Sequence, residues 1–178
     1  MEIRFSGFGG QGVIMMGMLV GKAAALHDGK EATLTQSFGP EARGGACSAQ
    51  LLVSSERILY PYLTRPDILV AMSQEAYARF EPELKEDGIL VIEENLVRPH
   101  APRGRIRQYA IPATRIAESM GNRMFANLVM LGFLCAVANV VSREALRQAL
   151  PGSVPDRFLE KNLAALEKGY ELGTKPAA

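Results

Sequence analysis

The stretch Glu2-Ile3-Arg4-Phe5-Ser6-Gly7-Phe8-Gly9-Gly10-Gln11-Gly12-Val13 decides how the rest of the chain is read. Ile3 and Phe5 alternate with polar neighbours, which predicts a strand over Glu2–Ser6. Gly7 to Gly12 matches G-x-G-x-x-G and is expected to turn the chain. Val13 to Leu26 then carries Val13, Met16, Val20, Ala23 and Ala24 at helical spacing. Gly17 and Gly21 lie one turn apart in this helix and would let it sit close to a sheet. A strand, a glycine turn and a helix in succession open an α/β domain. In that setting glycines permit close backbone approach, and amides at the helix start face an anion with help from the helix dipole.

Working outward, Asp28-Gly29 ends the helix and Ala32–Gln36 reads as a second strand. A glycine-rich loop follows, then a third strand over Cys47–Val53. Ile58–Tyr62 is either a short strand or an irregular connection. Ile68–Met72 and Ile89–Ile92 are compact apolar runs, as expected of strands covered on both faces, and Ile106–Ile111 adds another. Helices are expected from the N-cap Ser73 to about Leu84, over Pro112–Met120, over the nearly all-apolar Met124–Asn139, after Ser142, and over Pro155–Leu172. Strands alternating with helices imply a three-layer, Rossmann-like, mostly parallel sheet with helices on both faces. Residues 31 to 62 carry strands without a helix, so a local hairpin is expected there. With no repeat and no linker, residues 1–178 read as one domain.

The 20 basic and 19 acidic residues leave a net charge of +1, which gives no field for nucleic acid or an anionic membrane. The start has no basic, apolar, small-residue succession of a signal peptide. The apolar segment from Met124 to Val141 is interrupted by Asn127, Gly132 and Asn139, which suits a buried helix better than a membrane span. A cytoplasmic setting is the expectation, and Cys47 and Cys135 read as small buried apolar residues. An iron–sulfur cluster takes about four cysteines, so the chain is expected to bind no cluster or metal alone.

The glycine turn leaves several readings open. A dinucleotide fold expects an acid at the end of strand two, about 20 residues on, to hold a ribose. Here that strand ends Thr33-Leu34-Thr35-Gln36. The turn then serves helix–strand packing alone, or an anion, or a neighbouring subunit's cofactor. The loop Ser37-Phe38-Gly39-Pro40-Glu41-Ala42-Arg43-Gly44-Gly45 should leave the same sheet edge. Arg43 offers a planar fork to a carboxylate or phosphate, and Glu41 is placed to hold it. The plainer reading is a surface loop whose Glu41–Arg43 contact contributes under about 1 kcal/mol. The candidate site therefore comprises Gly7, Gly9, Gly10, Gln11 and Gly12 with Ser37, Gly39, Pro40, Glu41, Arg43, Gly44 and Gly45. No catalytic residue is assigned. G-x-S-x-G is absent, Gly17 to Ala23 breaks the phosphate-loop spacing, His27 and His100 fall in turns, and Glu93 and Glu94 make a poor acid–base pair. Such a chain reads as part of an enzyme.

Phe5 to Val13 and Gln36 to Gly45 closely resemble the gamma subunits of 2-oxoacid:ferredoxin oxidoreductases. The likeness continues through Arg65-Pro66-Asp67-Ile68-Leu69-Val70-Ala71-Met72-Ser73-Gln74-Glu75-Ala76-Tyr77 and Ala126-Asn127-Leu128-Val129-Met130-Leu131-Gly132, with Phe38 standing where the family usually has Tyr. The resemblance implies a subunit of a complex that decarboxylates a 2-oxoacid, 2-oxoglutarate before branched-chain acids, to an acyl-coenzyme A. Electrons would pass to ferredoxin, and alpha, beta and delta subunits would carry thiamine diphosphate and iron–sulfur clusters. Coenzyme A would be a shared substrate beside this chain, which alone would be inactive and able to pair with itself through its partner surface. The alternatives are a stand-alone dinucleotide-dependent oxidoreductase and a purely structural assembly domain.

Overall fold

The computed structural model describes residues 1–37 and 46–175. Six strands form one sheet in the order β2-β3-β1-β4-β5-β6. These are β1 (Glu2–Phe8), β2 (Glu31–Ser37), β3 (Ala46–Ser54), β4 (Ile68–Ala71), β5 (Ile89–Glu93) and β6 (Arg107–Ile111). β1, β4, β5 and β6 run parallel, whereas β3 lies antiparallel to both β1 and β2. The expected hairpin is therefore β2–β3, inserted so that β2 and β1 are not neighbours. Ile58–Tyr62 resolves to the second of its two readings, an irregular connection.

Helices cover both faces. α1 (Val13–Leu26), α4 (Ala126–Ala138), α5 (Arg143–Ala149) and α6 (Asp156–Gly173) share the larger core with Ile3, Phe5, Ala49, Leu51, Val70 and Val91. On the other face α2 (Gln74–Phe80) covers Leu69, Ala71, Leu90 and Ile92. Alternation along each strand splits these two sets, as the period of two requires. Arg4 points to the α2 side, where burial is offset by a 2.7 Å ion pair to Glu83 and by stacking 4.4 Å from the Phe80 ring centre.

Several boundaries differ from the sequence reading. β1 runs on to Phe8, because Gly7 and Phe8 still pair with Cys47 and Ala46 of β3. Gly7 is thus a strand residue and the turn proper is Gly9–Gly12. The helix expected to reach Leu84 stops at Phe80, and Pro82 sits in a tighter turn over Glu81–Glu83. α3 (Ala113–Ser119) follows Pro112, and a similar tight turn over Arg123–Phe125 precedes α4. Ser73 and Ser142 cap as expected, their Oγ atoms accepting the N–H of Ala76 (3.3 Å) and Ala145 (3.1 Å).

Glycines set the closest contacts. A Cβ on Gly17 would stand 2.9 Å from both the Ala49 Cβ and the Leu34 Cδ1, so α1 sits against the hairpin as its spacing implied. The α4–α6 contact is closer still and was not foreseen. A Cβ on Gly132 would overlap the Leu166 carbonyl oxygen, and one on Gly169 would overlap that of Val129. Two glycines facing each other's backbone let these helices touch main chain to main chain.

Candidate functional site

β1, β4, β5 and β6 are parallel, so Phe8, Ala71, Glu93 and Ile111 end on one edge of the sheet. β2 leaves and β3 enters at that same edge, since Ser37 pairs with Ser48 and Phe8 with Ala46. The two anchors of the second loop therefore lie beside the glycine turn. Of the candidate residues in that loop, Gly39, Pro40, Glu41, Arg43, Gly44 and Gly45 fall outside the described residues, and Ser37 is exposed at the end of β2.

The turn is built around Gln11. Its Oε1 accepts the Phe8 N–H (2.7 Å) and its Nε2 donates to the Met72 carbonyl (2.8 Å), while its own N–H donates to the Phe8 carbonyl (3.2 Å). The carboxamide thus clips the exit of β1 to the exit of β4. Gly7 leaves room for it, because a Cβ there would meet the Gln11 Oε1 at 2.5 Å and the Met72 Cβ at 2.9 Å. Gly10 (φ 94°) and Gly12 (φ 75°) adopt left-handed conformations that side chains resist. Gly12 also faces the Asn127 carboxamide, which a Cβ would strike. Gly9 is exposed with nothing within 4 Å of an added Cβ. The first turn of α1 has no side-chain cap, so its amide groups remain for something else.

Two clefts flank the turn. One, of about 300 Å3, lies between Gly10, Gln11, Thr114, Glu118, Arg123 and Met124. Arg123 is exposed, and its guanidinium meets no carboxylate among the described residues. The other, of about 240 Å3 and mostly apolar, is lined by Met15, Phe125, Phe158 and two buried carboxamides, Asn127 and Asn162. Asn127 Nδ2 reaches only the Met15 Sδ at 3.6 Å, and Asn162 Nδ2 donates to the Phe158 carbonyl at 2.8 Å. Met124 exposes apolar surface at both clefts, and Leu96 at the first. Sequence reasoning missed Arg123 and gave Asn127 no role. The available signal was an arginine directly after the Gly121-Asn122 stop and an asparagine inside an otherwise apolar helix.

Glu93 is fully buried at the end of β5, where its carboxylate accepts the N–H groups of Asn95 (2.9 Å) and Thr114 (3.1 Å). It fixes the loop after β5 to the start of α3 and has no acidic partner there. His27 and His100 are exposed in their turns, and the His100 backbone N–H donates to the Tyr77 hydroxyl at 3.0 Å. Both cysteines are buried, and burial drives the Cys135 thiol up to about 11. No three His, Cys, Asp or Glu side chains gather as a metal site among the described residues. No helix among them is long and apolar enough to cross a membrane.

The arrangement differs from a dinucleotide fold where it matters. β3 occupies the place beside β1 that such a fold gives to strand two, and β2 ends Thr35-Gln36-Ser37 without an acid. The edge offers uncapped amides, a guanidinium, and an apolar cleft with amide donors. That set fits a ligand joining an anionic group to an amide-bearing apolar arm.

Comparison with known proteins gives the family. Residues 2–172 match the family model described as pyruvate ferredoxin/flavodoxin oxidoreductase. The chain is 49% identical over 173 residues to the 2-oxoglutarate synthase subunit KorC of Methanocaldococcus jannaschii, covering 96% of this chain and 92% of that protein. Its fold is similar to the keto/oxoacid ferredoxin oxidoreductase gamma subunit of Geobacter sulfurreducens, with a TM-score of 0.85, 39% identity and 97% of each chain covered. It is also similar to the 2-oxoglutarate:ferredoxin oxidoreductase of Magnetococcus marinus, solved with 2-oxoglutarate, coenzyme A and succinyl-CoA bound. There the TM-score is 0.89 at 28% identity, covering 99% of this chain and 31% of that one. The chain belongs to the pyruvate ferredoxin/flavodoxin oxidoreductase family, as a gamma subunit of a 2-oxoacid:ferredoxin oxidoreductase.

Proposed function

We propose that this chain serves a 2-oxoglutarate:ferredoxin oxidoreductase and forms part of the wall against which coenzyme A binds. The complex would convert 2-oxoglutarate and coenzyme A to succinyl-CoA and carbon dioxide, passing electrons to ferredoxin. Alpha, beta and delta subunits would hold thiamine diphosphate and the iron–sulfur clusters, and the isolated chain would be inactive. The substrate choice rests on the 49% identity to a 2-oxoglutarate synthase subunit. The coenzyme A reading rests on the edge itself, where uncapped amides, the exposed Arg123 and a cleft with buried carboxamides lie within one rim. Coenzyme A has that chemistry, with phosphates at one end and an amide-bearing apolar arm ending in a thiol.

Within this reading the chain binds and orients. Gln11 holds the turn from which α1 starts, and Arg43, in the second loop, would take the anionic end. Gly9 gives a clean test, since a Cβ added there meets no atom within 4 Å among the described residues. Gly9→Asp in the assembled complex should raise the KM for coenzyme A at least roughly tenfold, by repulsion and loss of space, while the melting temperature stays put. The assay is coenzyme A-dependent reduction of a viologen dye. An unchanged KM would favour a purely structural role for this edge.

A further inference from the structure

Two asparagines stand where their surroundings are otherwise apolar. Asn127, the second residue of α4, is 4% exposed, and Asn162, in the N-terminal half of α6, is 6% exposed. Asparagine is seldom buried this far unless its amide is used. Backbone partners fix which end of each carboxamide is which. The Asn127 Oδ1 accepts the Leu128 N–H at 3.0 Å, so Nδ2 is the end left over. That donor meets only the Met15 Sδ at 3.6 Å, and a thioether is a weak acceptor. The Asn162 Nδ2 donates to the Phe158 carbonyl at 2.8 Å, so Oδ1 is the end left over. It accepts nothing among the described residues.

Both asparagines line the apolar cleft of about 240 Å3, among Met15, Phe125 and Phe158. Asn122 lines it too, but it is only half-buried and its Oδ1 accepts the Met124 N–H. The cleft thus holds one spare N–H donor and one spare carbonyl acceptor in apolar surroundings. That is the complement of a secondary amide, whose oxygen accepts and whose N–H donates. The two helices that carry the pair are fixed against each other. Gly132 and Gly169 hold them at main-chain contact further along, and the Phe125 and Phe158 rings pack edge to face with centroids 6.5 Å apart. A donor and an acceptor held this way lose little freedom when a ligand binds.

Folding alone leaves these two ends without a task. At the start of α4 only the Asn127 oxygen is used, and an aspartate would serve equally. The Asn162 Nδ2 goes to a carbonyl that the ladder of α6 already occupies, so a leucine there would cost the helix little. We infer that Asn127 and Asn162 are specificity-determining residues that read an amide of the ligand's arm. The Asn127 Nδ2 donates to the amide oxygen and the Asn162 Oδ1 accepts the amide N–H. This rests on the coenzyme A reading and deepens it, because it puts the amide-bearing arm in the apolar cleft. The rest of the ligand runs over Gly10 and Met124, which the two clefts share, into the other. A thiol without an amide would leave both polar ends buried and unpaired, and is rejected for that reason.

The test uses the assembled complex and coenzyme A-dependent reduction of a viologen dye. Asn162→Leu removes the acceptor. Asn127→Asp keeps an oxygen for the Leu128 N–H and turns the donor into a second oxygen. Each should raise the KM for coenzyme A at least roughly fivefold, with the KM for 2-oxoglutarate and the melting temperature unchanged. The factor should be the same with dephospho-coenzyme A, which keeps the arm and lacks one phosphate. Asn162→Leu adds no charge, and it carries the test if the Asn127 variant fails to fold. An unchanged coenzyme A KM in the asparagine variants, with Gly9→Asp raising it, overturns the inference and leaves the coenzyme A reading standing. An unchanged KM in all three overturns both. A clearly smaller factor with dephospho-coenzyme A puts the anionic end in this cleft and overturns the assignment, as does an equal rise in the KM for 2-oxoglutarate.

Discussion

Gly132→Ala tests whether main-chain contact between α4 and α6 holds this fold together. In an isolated helix the change stabilises by about 1 kcal/mol, since alanine is the better helix former. Here the added methyl would overlap the Leu166 carbonyl oxygen and come within 2.9 Å of the Tyr170 nitrogen. Backbone cannot swing aside as a side chain can, so α4 and α6 must separate by roughly 1 Å, enough to forfeit a quarter to a half of the dispersion at each contact. Overpacking of this kind costs about 1–3 kcal/mol, and a struck backbone puts it at the upper end, which leaves a net loss of roughly 2 kcal/mol after the propensity gain. For a chain of this length that corresponds to a fall of about 4–8 °C in melting temperature. Gly169→Ala should behave alike, because its methyl meets the Val129 carbonyl across the same seam. The double variant should lose clearly less than the sum, since a single separation relieves both overlaps. Urea unfolding followed by circular dichroism reads this as a lower midpoint with an unchanged slope. A Gly132→Ala protein as stable as the parent, or strict additivity, would refute the argument.

Gln11→Glu keeps an acceptor for the Phe8 N–H but sets a carboxylate oxygen where Nε2 donates to the Met72 carbonyl. It should cost about 1–3 kcal/mol in urea unfolding and raise the KM for coenzyme A in the complex, and the proposed clip fails if neither changes. Burial pushes the Glu167 carboxyl up, but hydrogen bonds from Arg143 and Arg147 outweigh it and hold the group below the usual carboxylate value. Its stabilisation is then fully present above the unfolded carboxylate pKa and is lost as pH falls through the lower folded value. The stability gap between parent and Glu167→Gln should accordingly shrink as pH drops below about 4. Urea midpoints at neutral and acid pH measure this, and a gap independent of pH would contradict it.

The amino-acid sequence by itself determined much of what rests on near neighbours. α1 spans Val13–Leu26 as its spacing implies, and Ser73 and Ser142 cap the helices they precede. Apolar runs at Ile68 and Ile89 became central strands buried on both faces. Helical and strand periods and caps act over a few residues, so they can be read locally. The candidate edge was legible in part, since Gly10, Gln11 and Gly12 line its two clefts. Their division of labour was not. That Gln11 clips Met72, that Gly12 makes room for Asn127, and that Arg123 joins the rim all depend on pairs 61 to more than 100 residues apart. The insertion of β3 between β1 and β2, and the glycine seam of α4 and α6, belong to the same class. Only tertiary structure decides such contacts, because strand order and helix approach follow from which surfaces meet when the core closes.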